Sequence, residues 1–559
     1  MDRWTGGRVK RRIVALILGV AFVSAVARAH GQGRGGGIPQ LRKQGTATQL
    51  VVDGAPFLIL GGELGNSSAS SLDYLRPFWP KLRAMHLNTV LAPVYWELTE
   101  PLKGRFNFAP VDSLLADARA SDMRLVLLWF GSWKNSMSSY APAWVKTNQT
   151  RFRRTEATRG RGQEILSPFV AANADADSRA FAALMRHLRS VDGTRHTVIM
   201  VQVENEIGMI PEARDHGLLA DSLFNRLVPD ALMGHLSRHR QDLAASLRAR
   251  WDSAGGKTSG TWEGVFGRGL YTDELFMAWF FARYAERVAA AGKVEYPLPM
   301  YVNAALIRPG YVPGQYVSAG PLPHLVDVWR AAAPSIDLLA PDIYFPNFVE
   351  WTGNYARSAN PLFVPEVRLD ARTPLEAFYA IGAYDAIGFS PFAIESATDS
   401  DAAEIGRAYE VLGELAPLIL HEQGRGSMTA VIPRVSFDGA VDESPQRVTV
   451  GGAFASTVSF ESPPAQSAPT VPRALGGGLL IALAPDELLI AGSGMVVTFD
   501  PTGTGDPIAG ILSADEGRFV NGQWRVGRRL NGDQTHQGRH VRLPPGEFTI
   551  QRVKLYRYR

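Results

Sequence analysis

None of the 559 residues is cysteine. That excludes a disulfide framework, a thiolate metal site and a lipidated cysteine after a leader, so the stability of the chain must come from its core. Charge is sparse, at 20% of residues, and no apolar run reaches the length of a membrane span. The longest such run, Ile13 to Val26, follows Arg3, Arg8, Lys10, Arg11 and Arg12 and ends in Ala27-Arg28-Ala29. This pattern predicts a signal peptide over residues 1–29, cleaved after Ala29, and hence an exported protein, periplasmic or extracellular, with no membrane partner once the leader is gone. The leader holds six basic residues and one acid, so its removal turns the formal charge from +4 to about −1. The basic balance of the whole chain therefore gives no reason to expect a nucleic-acid partner. Residues 30–44, beginning "HGQGRGGGIPQL", read as a flexible lead-in.

What is abundant is apolar sequence, 46% of residues, in runs of strand length. Eight recur between residues 50 and 400: "PFLILGGEL" (56–64), "TVLAPVYW" (89–96), "RLVLLWFGSW" (124–133), "VIMVQVENE" (198–206), "PMYVNAA" (299–305), "DLLAPDIY" (337–344), "PLFVPEV" (361–367) and "AIGFSPFAIE" (386–395). Most are continuous rather than alternating, as strands covered on both faces are. Helical spacing fills the intervals, most clearly after the eighth run, where Ile405, Ala408, Tyr409, Leu412 and Leu415 share a face. Eight strands alternating with helices predict a (β/α)8 TIM barrel over residues 45–424, with a doubly wound sheet as the alternative. The long interval 207–298 predicts extra helices walling the barrel mouth. From 425 to 559 the runs are short, alternating and punctuated by Gly, Pro and Asn, which predicts a β-sandwich or related all-β domain. "ESPPAQSAPTVP" (461–472) is a loop within it.

A barrel places its chemistry at the carboxyl ends of its strands. The sequence puts Glu63, Glu97, Glu204, Glu206, Asp342, Glu366 and Glu395 there, with Trp96, Trp129, Trp133, Trp144, Tyr344 and Trp351 on the same predicted rim. Carboxylates that accept from hydroxyls, beside flat aromatic faces for the C–H side of a sugar, suit a carbohydrate site. No metal or organic cofactor is indicated; His536 and His540 read as loop residues.

"QVENEIG" (202–208) resembles the acid/base motif of the retaining β-galactosidases of glycoside hydrolase family 35. "FVPEV" (363–367) is similar to their nucleophile strand, "YWELTEPLKGRFNF" (95–108) to the stretch after strand two, and "PAW" (142–144) also matches. The likeness runs over roughly residues 45–425. The chain departs from the family after strand one, at "GGELGNSS", and after strand three, where "GSWKNSMSSYAPAW" lacks a glutamate. Strand periodicity alone does not choose between Glu204 and Glu206. The resemblance implies that Glu206 is the acid/base, Glu366 the nucleophile and Asn205 a ligand of the sugar 2-hydroxyl, with Glu204 a structural group deeper in the barrel on the same strand face. Trp96, Glu97, Trp129, Trp133, Tyr344 and Glu395 complete the expected substrate-binding set. The implied activity is exo-hydrolysis of β-galactosides such as plant cell-wall side chains, for example of xyloglucan. Another β-glycosidase of the same clan (β-glucosidase, mannanase or arabinosidase) and a non-catalytic glycan-binding protein are the alternatives.

Overall fold

The computed structural model describes residues 37–158, 160–357, 360–461 and 476–559. The expected leader, the first part of the lead-in and most of the Pro/Ser-rich loop lie outside these residues. The eight apolar runs become eight parallel strands closed into a barrel: Ile59–Glu63, Thr89–Tyr95, Arg124–Lys134, Val198–Asn205, Met300–Ala305, Leu338–Ile343, Val364–Val367 and Gly388–Pro391, numbered one to eight below. They read as continuous apolar runs because both faces are covered, by the packed interior and by the outer helices.

The helices follow from ordinary signals. Asp399–Glu422 starts at Thr398, whose side chain accepts from Asp401 N–H, and buries Ile405, Ala408, Tyr409, Leu412 and Leu415. The interval after strand four holds five helices, Leu218–Phe224, Asp230–Arg238, Ala245–Ser253, Trp262–Phe266 and Leu270–Glu295. The last lies beside the helix Ala171–Asp192, so closely that a Cβ at Gly292 would fall 2.2 Å from the Phe181 ring.

Residues 40–44 are not a flexible lead-in. Gln40–Gln44 pairs with Ala47–Val52, and that strand with Ala55–Phe57, in an antiparallel meander. Its Asp53 accepts from Arg124 at 2.7 Å and lies 2.7 Å from His196 Nδ1. Both partners stand at the starts of strands, so the meander closes the end of the barrel opposite the site.

Beyond Gly424 the described residues form a two-stranded ribbon, Arg434–Val435 with Val441–Asp442, and two larger antiparallel sheets. One has six strands, in the order Met428–Val431, Gly477–Ala484, Glu487–Ser493, Thr549–Tyr558, Ile508–Val520 and Gln523–Leu530. The other has four: Gln446–Thr449, Phe454–Phe460, Met495–Pro501 and His540–Leu543. Alternation along the strands divides their side chains. Leu480, Leu488 and Ile490 meet Val458, Val497 and Val541 between the sheets. Leu479, Ile481, Leu489 and Ala491 turn the other way and join the barrel core. The helix Thr373–Tyr384 meets that outer face where Gly382 permits close approach, since a Cβ there would lie 2.7 Å from Ala430 Cβ.

The same helix carries a buried acid, Glu376, pushed up to about 8, first by burial and then by the charge of Asp370, against the pull of Arg372. The folded chain keeps a proton on Glu376 that the unfolded chain releases from about 4.5 upward, so the stability this group contributes is lost as pH rises through about 8. Glu376→Gln removes that titration. Urea unfolding should show the variant gaining on wild type between about pH 5 and pH 8, by on the order of a few kcal/mol. A difference that stays flat over this window would show that Glu376 is not buried as an acid.

Candidate active site

Strand four delivers the motif "VENE", and its two glutamates part company. Between strands three and four the register runs Trp129↔Val203 and then Lys134↔Asn205, so strand three carries extra residues in a bulge over Phe130–Trp133. A bulge re-aims the side chains beyond it. Here it turns the Trp133 N–H onto Glu204 Oε2 at 2.9 Å and brings Lys134 beside Asn205, Nζ to Oδ1 at 2.7 Å. Glu204 (φ 62°) and Glu206 (φ 44°) both sit in the left-handed region, which costs a non-glycine residue energy and marks a constrained site.

Glu204 therefore does not lie beneath Glu206 inside the barrel, as its spacing suggested. It faces Asp177 on the outer helix Ala171–Asp192, in a layer where Asp177 accepts from Trp129 Nε1 at 2.8 Å and Ser132 Oγ at 2.6 Å. Burial and the Asp177 charge hold the Glu204 carboxyl well above the ordinary range. Gly131 makes the approach possible, because a Cβ there would lie 2.8 Å from Glu204 Oε1.

Glu206 joins a second cluster, within the mouth. Its N–H donates to Asn303 Oδ1 at 2.9 Å, and Asn303 Nδ2 donates to Asp342 Oδ2 at 2.6 Å. Asn135 Nδ2 donates to Glu206 Oε2. Strand seven brings in Glu366, whose Oε1 accepts from the Tyr344 hydroxyl. Strand one adds Glu63. Glu63, Glu206, Asp342 and Glu366 are all buried, the two predicted catalytic groups retaining 5% exposure each.

Four acids beside one ammonium cannot all be ionised in so little water. Glu63 is held well above the ordinary range by burial and then by the Glu366 charge. Asp342 is raised likewise by burial, then by Glu366, Glu206 and Glu63. Glu206 is pushed up to about 7 by burial and the Glu366 charge, against Lys134, Asp342 and Asn135. Glu366 differs. Burial raises it, but Lys134, the Tyr344 hydroxyl and Glu63 all pull it down. Both Glu63 oxygens and Glu366 Oε2 lack a donor among the described groups, so a proton on Glu63 supplies the missing bond. The resulting state is one carboxylate, Glu366, favoured by the nearby Lys134 charge and surrounded by protonated acids.

The remaining expected residues divide. Tyr344 is in the cluster. Asn205 is too, with its Nδ2 buried and unpartnered among the described residues, aligned by Lys134 on its other end. Trp96, Trp129 and Trp133 are fully buried and offer no face to a sugar. The indole of Trp96 donates to Glu100 Oε2 at 3.1 Å, and Glu100 also accepts from Gly104 N–H at 2.7 Å and Arg179 at 3.0 Å. The "YWELTEPLKG" stretch is thus a structural knot. Trp133 packs edge-on against Tyr284, centroids 4.4 Å apart. Glu97 pairs with Lys146 at 3.4 Å on the partly exposed helix Trp96–Thr99. Glu395 is occupied by Gly65 N–H at 3.0 Å and Ser68 Oγ at 2.6 Å, clasping strand eight to the loop after strand one. Lys134, Asn135 and Asn303 were not singled out from the sequence. The isolated polar residue in the apolar "MYVNAA" was the available signal for Asn303, and "WKN" in the glutamate-less loop for the other two.

Residues 79–238 match the family model of the glycoside hydrolase family 42 β-galactosidases. Residues 405–542 match a domain of unknown function, DUF5597. A β-galactosidase of Xanthomonas manihotis is 30% identical over 191 residues, 33% of this chain and 29% of the relative. The matched stretch thus spans under a third of that relative's length. Among solved structures, a catalytic mutant of a family 42 β-galactosidase from G. stearothermophilus is 11% identical with a TM-score of 0.49, covering 89% of this chain and 98% of that one. A cold-adapted β-galactosidase from Rahnella sp. R3 is 14% identical with a TM-score of 0.45, covering 68% and 57%. At such scores these structures say nothing about the reaction. The matches do not single out family 35. The family 42 window contains Lys134, Asn205 and Glu206 and ends before Glu366.

Lys134→Met would strip the cluster of its cation. Removing one partner of a buried charge pair costs about 3–5 kcal/mol. The loss should be largest at neutral pH and smaller at about pH 5, where carboxyls more readily take up a proton in place of the lost counter-charge. Urea unfolding at the two pH values checks this; an equal loss at both would mean that Lys134 does not set the charge of the cluster.

Proposed function

We propose that the chain is a retaining, exo-acting β-galactosidase, with Glu366 the nucleophile and Glu206 the general acid and then base. The observation that carries the reading is the meeting of two buried carboxyls from strands four and seven in one cluster: Glu206 is raised to about 7, first by burial and then by the Glu366 charge, while Lys134 and the Tyr344 hydroxyl work against the burial that raises Glu366. A double displacement asks for this pair. The Glu366 carboxylate attacks the anomeric carbon as Glu206 gives its proton to the departing oxygen. The glycosyl ester then forms, and the Glu206 carboxylate takes a proton from the water that opens it. Loss of the charge on Glu366 in the ester lowers the pKa of Glu206, which readies it as a base. The Asn205 amide, pinned at its oxygen by Lys134, offers its free Nδ2 to the 2-hydroxyl. Galactose as the sugar is supported by the family 42 match over residues 79–238. The leader-like start supports action outside the cytoplasm.

Glu206→Ala tests the assignment. Turnover of a substrate with a poor leaving group should fall by ~10²–10⁴-fold, while an activated aryl galactoside still forms the glycosyl-enzyme. Azide, which needs no base, should restore turnover on the aryl substrate and give a glycosyl azide of retained configuration. Wild-type kcat/KM on poor leaving groups should fall as pH rises through about 7, where Glu206 loses its proton. Glu204→Ala should lose stability and activity on all substrates alike, without rescue. Rescue of the Glu204 variant and not of the Glu206 variant would reverse the roles, and an inverted first product would end the double-displacement reading.

A further inference from the structure

A cavity of about 640 Å³ lies apart from the carboxyl cluster. It opens among the inserted helices, the loop after strand five and the loop after strand six, with Phe437 of the all-β region on its rim. Its volume is in the range of sites that hold a small ligand. It lies on the catalytic face, because strands five and six both end there. Tyr344, the donor to Glu366, and Asn347, in the cavity wall, are three residues apart, a span of at most about 11 Å along the chain.

The walls combine aromatic faces with unmatched positive charge. Tyr271 and Tyr311 are exposed large rings, 39% and 43% accessible. Trp351 is oriented by its indole N–H, which donates to Asn347 Oδ1 at 3.1 Å. Arg250 and Arg308 also line the cavity, and among the described residues neither guanidinium has a carboxylate partner. The Arg250 guanidinium sits over the Tyr271 ring, 4.6 Å from its centroid. The two acids nearby are committed elsewhere or point to sugar chemistry. Glu274 is buried and accepts from the Tyr316 hydroxyl at 2.8 Å and Ala319 N–H at 3.1 Å, with His324 Nε2 2.8 Å away, which fixes the floor. Glu350 is exposed and holds the Asn347 amide at 2.8 Å, with an oxygen to spare for a hydroxyl.

We propose that this cavity binds a carboxylate-bearing sugar, a uronic acid unit, on the leaving-group side of the scissile bond. Rings that stack on a pyranose, an acceptor for its hydroxyls and two guanidinium groups for its carboxylate are the three things such a unit needs. The inference deepens the β-galactosidase reading, since it names what the galactosyl group is attached to. It favours acidic cell-wall glycans over a neutral one such as xyloglucan.

The test compares one substrate in two charge states: a methyl β-galactosyl-glucuronoside and its uronate methyl ester, alike in shape. A second arm titrates methyl glucuronoside alone into the full chain by calorimetry, with no bond to cleave. Wild type should favour the acid over the ester by about tenfold or more in kcat/KM, and should bind the methyl glucuronoside. In Arg250→Gln/Arg308→Gln the acid-to-ester ratio should fall to about one, and binding should be lost. Arg308 is exposed, so Arg308→Gln alone should fold and show part of the same change. Tyr311→Ala should weaken acid and ester equally. Acid and ester cleaved at the same rate by wild type, a preference that survives the double variant, or binding at crystal-like concentrations only would overturn the proposal. If aryl galactosides are cleaved and uronates ignored, the cavity proposal alone fails. If methyl glucuronoside binds through the arginines but no galactoside is cleaved, the cavity proposal stands and the reaction assigned above falls.

Discussion

A water-poor barrel mouth with four carboxyl groups and one ammonium can exist only if most of those carboxyls keep their protons. Every other feature of the site depends on where the protons go. Lys134 and the Tyr344 hydroxyl favour an anion at Glu366, and burial, reinforced by that anion, keeps protons on Glu63, Asp342 and Glu206. The same electrostatics that make the cluster costly in a folded protein produce an acid and a nucleophile side by side. Stability and chemistry therefore meet in one group of residues, at one end of the barrel, while the meander at its other end is tied on by Asp53 to Arg124 and His196.

Backbone irregularity is what distributes the roles. A regular strand would have set Glu204 and Glu206 on one face, two acids in one pocket. The bulge in strand three and the positive φ at both glutamates send Glu204 outward to Asp177 and Glu206 inward to Glu366. This is a local departure from sheet geometry at the place where function needs it. The bulge also moves Lys134 to the level of Asn205, so one irregularity supplies both the counter-ion and the alignment of the amide.

The barrel was legible because a strand covered on both faces needs continuous apolar sequence, and eight such runs stand out. Strand-end acids were legible for the complementary reason: Glu63, Glu206, Asp342 and Glu366 interrupt apolar sequence at a known place in the fold. The tryptophans misled. A large ring near a strand end is as readily drawn into the layer between strand and helix, and Trp96 and Trp129 went there because Glu100 and Asp177 satisfy their indole N–H groups. Glu395 reads as a site acid but is consumed in closing the barrel. Gln40–Gln44, polar and preceded by glycines, gives no apolar signal, and becomes a strand only through its pairing with residues 47–51. Lys134 and Asn303 were hidden because their partners are distant in sequence, and the arginine-lined cavity because it is assembled from segments scattered between residues 246 and 437.

The site turns on where its protons sit, and neutron diffraction on deuterium-exchanged crystals sees them directly. At a pH somewhat below about 7, where Glu206 still holds its proton, the account predicts deuterons on Glu63, Asp342 and Glu206 and none on Glu366, with the Tyr344 hydroxyl deuteron directed at Glu366. A deuteron on Glu366 beside a bare Glu63 would contradict it.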